Sequence, residues 1–127
     1  MKRIIAIILL ILLLLAGCGK SEAEPLTYTQ IYQEEAKKMM DEQDVVILDV
    51  REPDEYNSGH ILNAVLLPVG TITEETAADV IPSKDSVVLV YCRSGNRSKT
   101  ASDTLVKLGY TNVYEFGGII TWLYETE

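Results

Sequence analysis

Residues 88–98, Val-Leu-Val-Tyr-Cys-Arg-Ser-Gly-Asn-Arg-Ser, run from an apolar stretch into a cysteine, then a glycine between two arginines, then a serine. If the apolar stretch ends as a buried strand and a helix begins near Ser98, the backbone between them curls around Cys92 and points its N–H groups inward. The start of that helix adds about half a positive charge, and Arg93 and Arg97 add guanidinium groups. All three effects favour the thiolate, the nucleophilic form of cysteine, and together bring the free-thiol pKa of about 8.5 toward neutrality. The cradle of Arg93, Ser94, Gly95, Asn96 and Arg97 suits an anionic substrate or a negatively charged persulfide on Cys92. Most lone cysteines are packing residues. One of those would more naturally lie within the apolar run than at the head of an arginine-flanked loop.

Such a loop needs a strand before it and a helix after it, and the chain supplies both. Residues 86–91 are a continuous apolar run of the kind buried on both faces of a sheet. Residues 97–109 read as a helix closed by Gly109. Further runs at 45–50, 64–69 and 112–116 read as strands. Residues 29–43 read as a helix with Thr29 as N-cap, and residues 72–81 as a helix capped by Thr73 and ended by Pro82. Gly117-Gly118 is expected to turn the chain into a last helix carrying Trp122, over residues 117–125. Strands alternating with helices predict an α/β fold, a parallel sheet with helices on both faces. In such sheets ligands bind beyond the carboxyl ends of the strands, which is where Cys92 stands.

Charge narrows the partners. The chain carries nineteen acidic and eleven basic side chains. That balance argues against nucleic acid or an anionic membrane surface as a partner. Locally the sign reverses: residues 91–102 contain no acid, while Arg93, Arg97 and Lys99 are all basic. With a screening length of about 8 Å, a small anion at Cys92 feels this cluster more than the distant acids. One histidine and one available cysteine do not make a metal cluster, and no glycine-rich phosphate motif points to a nucleotide, so neither metal nor cofactor is expected.

The first residues say where the chemistry takes place. Lys2 and Arg3 precede an apolar stretch from Ile4 to Leu15 and the small pair Ala16-Gly17, the layout of a secretory signal. The stretch is short of the roughly 20 apolar residues that a membrane-spanning helix needs. Leu15-Ala16-Gly17-Cys18 resembles a bacterial lipobox. That resemblance implies a signal peptide over residues 1–17 and a lipidated Cys18 as the first mature residue. The polar segment up to residue 26 then links the lipid to a domain over 27–127, placing the protein outside the cytoplasm on a lipid anchor in the cell membrane. Removing Lys2 and Arg3 makes the mature chain more acidic still. With Cys18 lipidated, Cys92 has no partner for a disulfide in a compartment that oxidises thiols.

Taken together, Tyr-Cys-Arg-Ser-Gly-Asn-Arg-Ser at 91–98, Ile-Leu-Asp-Val-Arg-Glu-Pro-Asp-Glu-Tyr at 47–56, Gly-His-Ile at 59–61 and Gly-Gly-Ile-Ile-Thr-Trp at 117–122 resemble the rhodanese-like, or sulfurtransferase, domain. The likeness covers about residues 27–124. It implies a single domain with a five-stranded parallel sheet flanked by helices. It also implies that Cys92 carries a persulfide sulfur from a small donor such as thiosulfate to a thiol or cyanide acceptor, or to a protein partner. Leu62-Asn63 stands where the family usually has proline and glycine, a departure away from the cysteine loop.

By the same resemblance Arg93 is the side chain that faces an anionic donor and Arg97 the brace that closes the loop. Asp49 and Arg51 either border the pocket or serve as a structural carboxylate and a surface cation. His60 reads as structural rather than as a general base, and Trp122 as packing. Two other readings stand beside sulfur transfer. One is a module that carries persulfide or docks a partner without small-molecule turnover. The other is a phosphatase or arsenate reductase, which on this fold has Cys-x5-Arg; here the spacing is Cys92-x4-Arg97, a loop sized for sulfur rather than a tetrahedral oxyanion.

Overall fold

The computed structural model describes residues 26–127, so the leader, Cys18 and nearly all of the linker fall outside the described residues. Strands β1 (Thr29–Gln30), β2 (Val46–Asp49), β3 (Val65–Leu66), β4 (Val87–Cys92) and β5 (Asn112–Gly118) form one sheet in the order β1-β5-β4-β2-β3. Every pairing is parallel. The helices are α1 (Gln33–Glu42), α2 (Pro53–Asn57), α3 (Glu74–Val80) and α4 (Asn96–Lys107), with single 3₁₀ turns at Val69–Thr71 and Ile119–Thr121. Among the described residues no helix is long and apolar enough to cross a membrane.

The apolar run before the cysteine is continuous because β4 is central and covered on both sides. Val88, Val90 and Cys92 face one core with Ala101 and Leu105 of α4 and Ala77 of α3. Leu89 and Tyr91 face the other, with Ala36 of α1, Ile61 and Phe116. Successive side chains of a strand point to opposite faces, so this two-residue period sets Cys92 on the side that α4 covers. α4 buries Ser98, Ala101, Ser102 and Leu105 there, the spacing of one helical stripe.

Two expectations are corrected at the ends of the domain. Thr29 caps no helix: it lies in β1 opposite Tyr114, and α1 begins four residues later. Its helical pattern was real only from Gln33 onward. Tyr32, just ahead of it, is 83% exposed. The second correction concerns residues 117–125: Gly117-Gly118 end β5, and a single 3₁₀ turn at Ile119–Thr121 stands where a helix was expected. Tertiary pairing wins there. The Ile120 amide donates to the Arg93 carbonyl at 3.2 Å, and the end of the chain is drawn across to His60, where Glu127 and His60 exchange backbone hydrogen bonds of 2.8 and 3.0 Å. Thr73 does cap α3, accepting from the Thr76 amide. α2 was not anticipated from the sequence; Glu52 and Glu55 build its capping box around Pro53.

Candidate active site

Cys92 is the last residue of β4, and Gly95, with φ of 109°, turns the chain directly into α4. A left-handed residue is needed for so tight an entry, and glycine supplies it without a Cβ penalty. The turn wraps the sulfur. The Gly95 amide donates to Cys92 Sγ at 3.0 Å, and the Ser98 hydroxyl lies 3.4 Å from it. Only 1% of Cys92 is exposed. Burial by itself pushes the thiol pKa up, but the Ser98 hydroxyl and the amides of Ser98, Gly95 and Ser94 outweigh it, and the net shift is downward.

The two arginines of the loop behave differently. Arg97 makes a two-pronged ion pair with Glu55 of α2, at 2.6 and 3.0 Å, and so ties the loop to the neighbouring segment. The Arg97 guanidinium holds the Glu55 carboxyl down to about 2. Arg97 also feels the charge of Cys92, yet its hydrogen bonds go to Glu55, so the expected direct support of the thiolate by both guanidinium groups gives way to support by amides and a hydroxyl. Arg93 is exposed and borders a cavity of about 370 Å³ together with Arg51, Glu55 and Ile120. Ser94 and Asn96 are exposed on the rim, and Ser94 and Gly95 also line a larger cavity of about 570 Å³ on the β1 side of the loop.

Arg51 is no surface cation. It is 6% exposed and grips the fully buried Asp49 through Nε and Nη2, with Nη2 also donating to the Gly59 carbonyl at 2.7 Å. Tyr91, on β4, donates its hydroxyl to Asp49 at 2.6 Å and accepts the Ile61 amide at 3.0 Å. Arg51 therefore both locks the β2 terminus and borders the cavity that holds Arg93. His60 stacks on Tyr56 at 3.8 Å, and its ring nitrogens meet the Tyr56 carbonyl and Glu127. Trp122 packs on Phe116 and Tyr124.

The floor of the site comes from β5. Register slips by one residue between β4 and β5, so that Val90 opposes Glu115 while Cys92 opposes Gly118. This bulge brings the Gly117-Gly118 backbone under the loop. A Cβ on Gly118 would overlap the Arg93 carbonyl and the Ser94 nitrogen. Glycine is required there for close approach, not for conformation.

The family model for the rhodanese-like domain matches residues 32–125. The chain belongs to this family. Its relatives include the thiosulfate sulfurtransferase GlpE of Coxiella burnetii, 37% identical over 98 residues that cover 76% of this chain and 89% of that protein. The thiosulfate sulfurtransferase PspE of Escherichia coli is 36% identical over 72 residues, 57% of this chain and 68% of PspE. Among solved structures, a rhodanese with anions from E. coli superposes with a TM-score of 0.60 at 32% identity, covering 66% of this chain and 98% of that one. The rhodanese-like fold, a five-stranded parallel sheet between helices, is thus common to sequence and structure comparisons.

Glu115 is the residue the sequence reading passed over. It is 2% exposed and lies beneath Ser98, 2.7 Å from its hydroxyl. A signal for it existed: Glu115 is two residues from Val113, which faces the α4 side, so strand alternation turns its carboxylate toward Cys92.

Proposed function

We propose that this rhodanese-type sulfurtransferase moves a sulfane sulfur through a persulfide on Cys92. The reading is carried by the sulfur of Cys92, held by the Gly95 amide and the Ser98 hydroxyl at the root of a loop whose rim bears Arg93. The thiolate attacks the outer sulfur of a donor such as thiosulfate. A sulfur–sulfur bond to Cys92 forms, the bond to the sulfonate breaks, and sulfite leaves with the electron pair. Cyanide or a thiolate acceptor then attacks the outer sulfur and takes it, as thiocyanate or a persulfide, and the Cys92 thiolate returns. Negative charge stays on sulfur throughout, which is what inward amides favour. Arg93 and, behind it, Arg51 supply positive charge where the sulfonate would lie.

The domain is further proposed to work outside the cytoplasm on a lipid attached to Cys18. The apolar run ending in Leu-Ala-Gly-Cys supports this, as does the polar spacer that follows. Intact mass of the full-length protein after exposure to thiosulfate tests the main reading: a gain of about 32 Da, one sulfur atom, is expected on Cys92. Thiocyanate formation with cyanide should vanish in Cys92→Ser, whose hydroxyl cannot form the persulfide. Hydrolysis of p-nitrophenyl phosphate that depends on Cys92, with no sulfur gained from any donor, would overturn it.

A further inference from the structure

We propose that Glu115 is a positioning residue that governs the charge of Cys92 through Ser98, the three side chains sharing protons as one unit. All three are buried, at 2, 0 and 1% exposure for Glu115, Ser98 and Cys92. The Ser98 oxygen is crowded by acceptors: Glu115 Oε1 at 2.7 Å, the Gly95 carbonyl at 2.9 Å and the Gly117 carbonyl at 3.4 Å, with Cys92 Sγ also at 3.4 Å. A serine hydroxyl has one proton to give. The Glu115 carboxyl is itself fixed, because Oε1 accepts the Gly117 amide at 2.8 Å and Oε2 accepts from Gln30 of β1 at 3.2 Å.

The consequence is a coupling. When Glu115 is ionised it is the nearest acceptor and takes the Ser98 proton, which leaves the Ser98 oxygen as an acceptor for the Cys92 thiol. When Cys92 is a thiolate, Ser98 must turn its proton to the sulfur to stabilise it. Glu115 then faces the serine oxygen with no proton between them unless it carries one itself. The two arrangements interconvert by a shift of two protons by one place each, from sulfur to the serine oxygen and from the serine oxygen to the carboxylate. No bond between heavy atoms changes, and the unit keeps one net negative charge. The carboxylate therefore receives the thiol proton inside the protein, and two buried anions need not stand side by side as an anionic donor arrives.

Charged and titratable groups from the surrounding elements bear on the same unit. Arg97 of α4 acts electrostatically on Cys92 while paired with Glu55 of α2. Lys99 of α4 and Tyr32 ahead of α1 line the cavity beside Glu115. The histidine is remote in its bonding, held between Tyr56 and Glu127.

The proposal rests on Cys92 being the reactive thiol, and its test does not use sulfur transfer. The ultraviolet absorbance of the thiolate is titrated in the full-length protein, with the Cys92→Ala variant subtracted to remove Cys18 and the tyrosines. A unit that shares one proton gives two steps, a partial thiolate plateau followed by completion at higher pH. Glu115→Gln has no site for the shifted proton and should give a single step. Ser98→Ala should also give one step, and Ser98→Thr, which keeps the hydroxyl, should restore two. Circular dichroism identifies any variant that fails to fold, in which case the wild-type profile and the Ser98 pair decide. A single step in the wild type, or two steps persisting in either folded Glu115→Gln or folded Ser98→Ala, would overturn the proposal. Two steps without a persulfide from any donor would leave the coupling standing and remove the sulfurtransferase reading instead.

Discussion

The carboxyl ends of β2 and β4 lie side by side in the sheet and each buries a carboxylate network, but the two are supplied with protons differently. At the end of β2, Asp49 accepts from the Arg51 amide, from Arg51 Nε and Nη2, and from the Tyr91 hydroxyl. Donors meet every acceptor. At the end of β4, one hydroxyl faces a carboxylate, two carbonyls and a sulfur. A network whose donors are all committed to one carboxylate has a single arrangement, whereas a hydroxyl with one proton and several acceptors in reach has alternatives. The first region positions, and the second can react.

Replacing the sulfur should have the largest effect, since Cys92→Ser is expected to remove thiocyanate formation altogether while leaving the β2 network and the melting temperature nearly unchanged. Asp49→Asn strikes the other region. It leaves the buried Arg51 charge without its partner, and a loss of about 3–5 kcal/mol in unfolding free energy is expected. Denaturant titration measures it. By contrast, Glu115→Gln keeps an oxygen at Oε1 to accept from Ser98 and the Gly117 amide, and Gln30 can turn its own amide oxygen to the new N–H, so its cost should stay within roughly 1 kcal/mol. Equal costs at the two carboxylates would erase the contrast drawn between them.

Gly118→Ala perturbs the cysteine loop through its backbone. The added Cβ must push the Arg93–Ser94 peptide away and displace the amides around Cys92. A drop of about 10²-fold in kcat/KM is expected, the scale of a small misplacement at a reacting centre. The smallest effect belongs to the bridge between the regions, Glu55 with Arg97. The Arg97 hydrogen bonds lower the Glu55 carboxyl from an ordinary 4.5 to about 2. Its contribution to stability is therefore complete above about pH 4.5 and is lost as pH falls toward 2. Because the pair is partly exposed, Glu55→Gln should cost no more than about 1 kcal/mol at neutral pH. The difference from wild type should shrink through that acid window in paired urea titrations.

What could be read from the chain were features with a local cause. β2 and β4 announce themselves as apolar runs because they are covered on both faces. α3 and α4 were legible from Thr73, Pro82 and Gly109, since caps and breakers act within a turn or two. The cysteine loop was legible for the same reason: a strand, a glycine and a helix start are enough to point amides inward. β1 was not, because two residues carry no periodicity and only the edge of β5 makes them a strand. The last helix failed to appear because residues 117–127 trade helical hydrogen bonds for bonds to Arg93 and His60, partners far away in sequence.

The α/β alternation and the loop around Cys92 follow from short-range patterns of apolar runs, caps and glycines, and the motifs of the family are written in the same short segments. Tertiary structure alone decided the charges within the site. It turned Arg97 to Glu55, sank Arg51 onto Asp49, packed α4 over β5 so that Ser98 meets Glu115, and slid β5 by one residue so that Gly117-Gly118 came to lie under the loop. Which group holds a proton depends on burial and on distances of a few ångströms, and those are set only when segments tens of residues apart pack together.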